Sequence, residues 1–254
     1  MHMPNLKIEF IPEATRKIFD RLKNDPRLAD FTLVGGTALT LQIGHRISED
    51  LDFNIFSQKL PIGVIDRILD ELAASGATIE SLITSEQKSK FKINTSQNLE
   101  HFIQDYLIDG AKVTFHSRNE NERPKQQIDF LRSTPKVRVS EGGFDVLGLD
   151  GLFVMKSIVI YDRVKSRDIY DLMVLTRDYG YSVDDIFSAI DAYQPLRNKD
   201  PEHFKSVVTG LIPLDIDDEG FSSINLNVKI DEIFKYFKKM IDDYEIRMVT
   251  QLRS

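Results

Sequence analysis

The segment LVGGTALTLQIGHRISEDLDF, residues 33–53, constrains the fold more than any other part of the chain. An apolar run enters a Gly-Gly-Thr turn, a short helical segment follows, and Asp50 and Asp52 close the segment. Because alternate side chains of a strand point to the same face, these two carboxylates are expected to project side by side. Glycines let the backbone turn sharply, since they carry no Cβ.

This arrangement predicts two kinds of binding. Two neighbouring carboxylates repel each other unless a cation lies between them, and their oxygens suit Mg²⁺ or Mn²⁺. Gly35 and Gly36 would form the turn, and Thr37 would open a helix whose free N–H groups attract phosphate. A metal site beside a phosphate site indicates a nucleoside triphosphate. The alternative is a tight turn followed by a solvated acidic strand end.

Composition excludes several classes of protein. No stretch approaches the roughly 18–20 continuous apolar residues of a membrane span, and the start of the chain lacks the features of a secretory signal. The absence of cysteine excludes disulfides and thiolate sites. We therefore expect a cytoplasmic protein without a membrane partner.

Charge is unevenly distributed along the chain. The net charge of −7 argues against a non-specific nucleic-acid coat, yet residues 112–167 hold eleven Lys and Arg against seven Asp and Glu. This basic middle could steer a phosphate-bearing substrate, or it could be an ordinary solvated region. Its candidate contacts with substrate phosphates are Arg118, Arg123, Lys125, Arg132, Lys136 and Arg138.

The pattern of elements predicts an α/β fold, with a mixed-sheet domain at residues 1–141 and a helical domain at residues 142–254. Between residues 77 and 139, the segments ATIESLI, KFKIN, AKVTFH, QQIDFL and KVRVS alternate or are β-branched, which favours strands. Helical spacing dominates after the Gly-Gly pair at 142–143. Residues 213–227, rich in acids and serines, predict an exposed loop.

A second cluster lies in VMKSIVIYDRVKSRDIYDL. If it were one helix, Lys156, Arg163 and Arg167 would lie close to one line along it. A break at residues 162–166 is equally consistent, with a second helix beginning near Ser166. Either arrangement presents cations and carboxylates together, and the alternative is a solvated helix face with weak ion pairs.

The order Gly-Gly-Thr-Ala-Leu, then His-Arg-Ile-Ser, then Asp-Leu-Asp-Phe resembles the nucleotidyltransferase core of the DNA-polymerase-β-like superfamily. Together with KSRDIYD at 165–171 and the upstream Lys156, it more narrowly resembles the AbiEii/AbiGii toxin family of type IV toxin–antitoxin systems. The matched regions, about residues 31–56 and 147–175, cover roughly a fifth of the chain.

The resemblance implies a set of site residues. The catalytic group is Asp50, Asp52, Lys156, Asp168 and Asp171, with Asp50 and Asp52 as the metal ligands. The nucleotide-binding group is Gly35, Gly36, Thr37, His45, Arg46, Ser48, Arg163, Lys165 and Arg167. In this mechanism, the glycine turn binds the outer phosphates, and Lys156 with Arg163 or Arg167 neutralises the leaving pyrophosphate.

The resemblance further implies a mixed-sheet nucleotidyltransferase domain that moves a nucleoside monophosphate from a triphosphate onto an acceptor, with RNA, in particular tRNA, as the expected acceptor. Magnesium would be the cofactor, and a separate antitoxin would be the partner. Two rivals remain. One is a nucleotidyltransferase with a small-molecule or protein acceptor, and the other is a nucleotide-binding protein that has lost catalysis.

The second rival is motivated by a departure from the wider superfamily. Many members carry a third carboxylate on a later strand. The corresponding strand here would be AKVTFH, which has Thr114 and His116 instead of an acid. Asp129, in QQIDFL, is a candidate to supply that carboxylate from another strand.

Overall fold

A mixed seven-stranded sheet organises the first part of the chain, in the order β3-β4-β5-β2-β1-β7-β6. The computed structural model describes residues 6–118, 123–194, 200–221 and 226–252. The strands are β1 (Thr32–Val34), β2 (Leu51–Ile55), β3 (Ile79–Ser81), β4 (Ile103–Ile108), β5 (Ala111–Ser117), β6 (Lys136–Arg138) and β7 (Asp145–Leu147). The pairs β1·β7 and β2·β5 are parallel and the others antiparallel, which confirms the predicted mixed sheet and α/β class.

Helices alternate with these strands along the chain, and after β7 the described regular elements are all helices. They are α1 (Glu13–Leu22), α2 (Gly35–Ile43), α3 (Ile62–Ala74), α4 (Ser85–Thr95), α5 (Lys125–Ser133), α6 (Leu149–Val159), α7 (Ser166–Asp178), α8 (Val183–Tyr193), α9 (Pro201–Val208) and α10 (Ile230–Leu252). The chain divides into two compact units, residues 1–152 and 153–254. No helix among the described residues is both long and apolar enough to cross a bilayer.

The two faces of the sheet differ in chemistry because side chains alternate along each strand. On one face, Phe53 of β2 stacks on Phe115 of β5 with ring centroids 5.6 Å apart, and it meets Phe144 edge-on at 4.9 Å. All three rings are almost fully buried. The opposite face of β2 carries Asp52, so burial of the aromatic face fixes where this carboxylate points.

Two of the predicted strands are helices. The alternating KFKIN lies in α4, because Thr84 and Gln87 form a capping box that starts a helix just before it. QQIDFL lies in α5, where Ile128 and Leu131 are buried at helical spacing. Asp129 therefore sits on a helix, 3.5 Å from Arg132, rather than on a strand, and the suggestion that it supplies a strand carboxylate was wrong.

The second unit is helical, as predicted. The cluster around Lys156 is not one continuous helix, since α6 ends at Val159 and α7 begins at Ser166. The described part of segment 213–227 contains no helix or strand, and residues 222–225 lie outside the described residues.

Candidate functional site

The glycine turn brings the end of β1 against the second aspartate. Val34 lies directly opposite Asp52 in the β1·β2 ladder, and α2 begins at the next residue. Gly35 has φ +76°, and a Cβ there would lie 2.7 Å from Oδ2 of Asp52. Both the backbone conformation and the close carboxylate therefore require glycine at this position.

The second glycine is equally confined. A Cβ on Gly36 would lie 2.6 Å from a terminal guanidinium nitrogen of Arg46 and 3.0 Å from Oγ of Ser48. Thr37 donates a hydrogen bond from its hydroxyl to Oγ of Ser48 at 2.9 Å, and both side chains are buried. The helix α2 thus begins at Gly35, two residues before the predicted start at Thr37. The Thr37 hydroxyl instead stabilises the turn through its hydrogen bond to Ser48.

Arg46 supports the loop that leads to the aspartates. It is 5% exposed, its guanidinium donates to the carbonyl of Ile47 at 2.9 Å, and its own carbonyl accepts from Thr40 at 3.2 Å. His45 is half-buried beside it. The His-Arg-Ile-Ser segment therefore packs against the glycine turn and stabilises its geometry.

The two aspartates are half-buried and adjacent. Asp50 immediately precedes β2, and Asp52 is its second residue. No group of three His, Cys, Asp or Glu among the described residues is placed to share a metal ion. The Asp52 carboxylate, next to the space that a Gly35 Cβ would fill, does suit a hard cation, because Mg²⁺ commonly takes one or two carboxylates and completes its shell with phosphate oxygens and water.

A row of polar side chains that sequence reasoning missed continues from Asp52 across the sheet. Asp52 pairs with Thr114 of β5, and Thr114 pairs with Asp105 of β4. Thr114 donates to Oδ1 of Asp105 at 2.8 Å, and the Lys112 ammonium lies 3.6 Å from its Oδ2. Asp105 is thus a carboxylate on the same face as Asp52, two strands away.

The signal that could have located Asp105 is the Asp109-Gly110 pair between two alternating segments. Asp-Gly is typical of a two-residue hairpin, and both residues have positive φ, +48° and +84°. A two-residue turn pairs Ile108 with Ala111, and counting outwards places Asp105 opposite Thr114.

In the second unit, Lys156 is buried between two carboxylates. Its Nζ lies 2.6 Å from Asp168 and 2.7 Å from Asp171, which are one turn apart on α7. Arg163, with a half-exposed side chain, donates to Asp168 at 2.8 Å. Burial opposes ionisation of Asp168, but Lys156 and Arg163 outweigh it and hold its pKa below the usual value. Lys156, Arg163, Asp168 and Asp171 thus form one connected network of ion pairs.

The other two predicted cations contact a different group of acids, Asp215, Asp217, Asp218 and Glu219, here called the acidic segment. Lys165 lies 2.5 Å from Asp217, and Arg167 lies 2.6 Å from Glu219. Asp218 accepts hydrogen bonds from the backbone N–H and hydroxyl of Ser166, the first residue of α7, and so satisfies one of the free N–H groups at the start of that helix. The predicted exposed loop therefore binds the segment that carries Lys165 and Arg167.

Part of the basic middle forms a concave surface of its own. Arg132, Lys136 and Arg138 line a cavity of about 470 Å³ together with Asp145. Arg138 lies 2.7 Å from Asp145, and Lys136 donates to the carbonyl of Arg132 at 2.7 Å. Burial lowers the pKa of Lys136, opposed by Asp145, and burial raises the pKa of Asp145. Protein oxygens already engage these cations.

The predicted residues thus fall into two local sets. The first unit brings together the glycine turn, Arg46, Ser48 and Asp52. The second unit brings together Lys156, Arg163, Asp168 and Asp171, and it places Lys165 and Arg167 on the acidic segment.

Comparison with known proteins finds one similar sequence and several similar structures, each covering most of this chain. An uncharacterised protein of Aquifex aeolicus is 26% identical over 219 residues, which cover 85% of this chain and 88% of that protein. The crystal structure of JHP933 from Helicobacter pylori aligns with a TM-score of 0.47 and 18% identity, covering 94% of this chain and 96% of the other. The nucleotidyltransferase toxin MenT4 from Mycobacterium tuberculosis aligns at 0.42 and 12%, covering 89% and 86%.

A family model extends well beyond the two motifs. The model for the nucleotidyl transferase AbiEii toxin of type IV toxin–antitoxin systems matches residues 17–246, which includes both sets of site residues. The chain therefore belongs to the AbiEii family of nucleotidyltransferase toxins.

Proposed function

We propose that this protein transfers a nucleoside monophosphate from a triphosphate to a hydroxyl at the 3′ end of an RNA acceptor, in particular tRNA. The observation that supports this most directly is the approach of Gly35 to Asp52. The start of α2, where N–H groups favour phosphate, lies beside the Asp52 carboxylate, which favours a cation, and this proximity supports a shared site for phosphate and Mg²⁺.

The residues divide the work as follows. Asp50 and Asp52 would hold Mg²⁺, and N–H groups of Gly35, Gly36 and Thr37 would bind the outer phosphates. Bound Mg²⁺ supplies charge neutralisation at the phosphate and lowers the pKa of an attacking hydroxyl. Arg46 and Ser48 keep the turn rigid, so that the phosphate-binding groups need little reorganisation during the reaction.

The network in the second unit has a related role in the proposal. Lys156 is enclosed by Asp168 and Asp171, so its charge acts mainly to hold α6 and α7 in register. Arg163 is the most exposed member of the network and is the cation best suited to approach a phosphate. Asp168 orients Arg163 through its second oxygen.

The direct test is incubation of the purified protein with each α-³²P-labelled triphosphate, total cellular RNA and MgCl₂. Label in RNA that depends on Mg²⁺ and is lost in Asp52→Asn supports the proposal. Label in a small hydroxylated compound or in protein, with none in RNA, would favour the first rival. Tight triphosphate binding without transfer to any acceptor would favour a protein that has lost catalysis.

As a member of a toxin–antitoxin family, the chain is also proposed to bind a separate antitoxin in the cytoplasm. Co-expression with the product of the adjacent gene tests this, since an antitoxin should relieve growth arrest caused by the toxin.

A further inference from the structure

A second feature of the first unit lies at the far end of the polar row that begins at Asp52. A cavity of about 460 Å³ opens between α4 and β4, and Asp105 contributes to its wall. Its other walls are largely apolar and include Leu82, Phe91 and Ile103. Ile103 shares the Asp105 face of β4, so the cavity and the row belong to the same side of the sheet.

The helix above this cavity is basic and interrupted by an aromatic ring. In α4 the sequence Lys88-Ser-Lys90-Phe91-Lys92 alternates cations with other residues, and the helix has no buried residue. Lys88 pairs with Glu100 at 2.6 Å, whereas Lys90 and Lys92 form no ion pair with any described residue. An aromatic side chain between available cations is the combination that binds single-stranded nucleic acid, by stacking and by phosphate contacts.

The in-line geometry of phosphoryl transfer indicates that the RNA acceptor lies on the side of β2 where this cavity opens. β1, with the phosphate-binding turn, lies on one side of β2, and β5 and β4 lie on the other. In phosphoryl transfer, the attacking and leaving oxygens are roughly in line. If the outer phosphates leave toward Gly35, the acceptor hydroxyl must approach from the β5 side. Two strand spacings, about 10 Å, then separate Asp52 from Asp105.

We propose that the cavity between α4 and β4 binds the terminal nucleobase of the RNA acceptor, with Phe91 stacking on the base and Lys90 and Lys92 contacting the adjacent phosphates. Asp105 accepts a hydrogen bond from an exocyclic amino group, which favours adenine or cytosine over uracil. Thr114 holds the carboxylate in place for this contact. This inference rests on the proposed function, because it assumes an RNA acceptor.

The test measures binding of fluorescently labelled RNA with a single-stranded 3′ end, without triphosphate, so that transfer is not needed. Phe91→Ala should weaken binding roughly 5- to 150-fold, since stacking contributes about 1–3 kcal/mol per base. Phe91→Leu preserves apolar contact with Phe102 but removes the aromatic ring, so it should weaken RNA binding almost as much as Phe91→Ala does. Ile93→Ala, on the same helix and 82% exposed, is the matched control and should bind as the parent does.

Different measurements test Lys90 and Lys92 on the one hand and Asp105 on the other. Lys90→Ser with Lys92→Ser should reduce the slope of log affinity against log salt by about 1.4, and the exposed pair Lys238→Ser with Lys239→Ser serves as control. RNA ending in A or C should bind the parent about 5-fold or more tighter than RNA ending in U. Asp105→Asn should reduce that preference.

The outcomes separate this inference from the proposed function. If the parent transfers nucleotide to RNA while the Phe91 and Lys90/Lys92 variants bind RNA as tightly as the parent, only the α4 site is overturned. If the parent neither binds nor labels RNA but labels small acceptors, the RNA acceptor itself is overturned.

Discussion

A Cβ added to Gly35 would lie 2.7 Å from Oδ2 of Asp52, which is closer than the Cβ atoms of proteins approach other atoms. Gly35→Ala must therefore displace the carboxylate as well as place alanine at φ +76°. We expect a loss of stability of about 1–2 kcal/mol from the backbone conformation, and loss of nearly all nucleotide transfer. Urea unfolding and the labelled-RNA assay give the two values.

Gly142→Ala provides the matched control for that substitution. Gly142 has φ +77°, and a Cβ there meets no atom within 4 Å. It should lose similar stability and retain transfer. Equal transfer by both alanine variants would show that the approach of Gly35 to Asp52 has no part in activity.

Removing charge from the predicted metal ligands should abolish activity without unfolding the protein. Asp50→Asn and Asp52→Asn each remove one cation ligand, and we expect transfer to fall at least 100-fold because the cation stabilises the transferring group. Isothermal titration with Mg²⁺ and triphosphate should show weaker metal binding in both. Asp70→Asn, an exposed acid on α3, is the control and should be unchanged.

Lys156 is expected to matter for stability as much as for catalysis. Its substitution by methionine leaves Asp168 and Asp171 buried without their main counter-charge, which costs about 3–5 kcal/mol. Urea unfolding measures this loss. Adding Asp168→Asn and Asp171→Asn to Lys156→Met should recover much of it, because no uncompensated carboxylate remains. A stable, inactive Lys156→Met protein would instead assign Lys156 a direct catalytic contact.

The same network predicts a pH dependence. Folding holds the pKa of Asp168 below its ordinary value of 3.8, so the unfolded chain binds the proton more readily. The contribution of Asp168 to stability is therefore complete above the unfolded pKa, and it is lost as pH falls toward the lower folded pKa. Unfolding free energies between pH 5 and about 3 should fall more steeply for the parent than for Asp168→Asn.

The sequence predicted the parts of this protein that depend on local pattern. The glycine turn and the C-terminal helices follow from backbone preferences and apolar spacing, which neighbouring residues alone determine. The sequence left one continuous helix and a break before Ser166 as alternatives, and the structure has the break. The prediction of a strand at KFKIN was wrong because the alternation of this segment matches a strand, whereas the capping box at Thr84 starts a helix just before it. Contacts such as Asp218 with Ser166 join residues 52 positions apart, and no local pattern encodes them.

The acidic segment gives the last test, because it binds two cations that the family resemblance assigns to nucleotide binding. Asp217 is 86% exposed and Glu219 61% exposed in their side chains, so their pairs with Lys165 and Arg167 contribute little to stability. Asp217→Asn with Glu219→Gln should change the unfolding free energy by less than about 0.5 kcal/mol. If Lys165 and Arg167 contact the triphosphate, freeing them should raise its affinity several-fold at low salt, an increase that calorimetry can measure. Asp184→Asn, which breaks the exposed pair of Asp184 with Arg247, is the matched control and should leave triphosphate affinity unchanged. Unchanged affinity in both variants would mean that Lys165 and Arg167 serve only to hold the acidic segment against the start of α7.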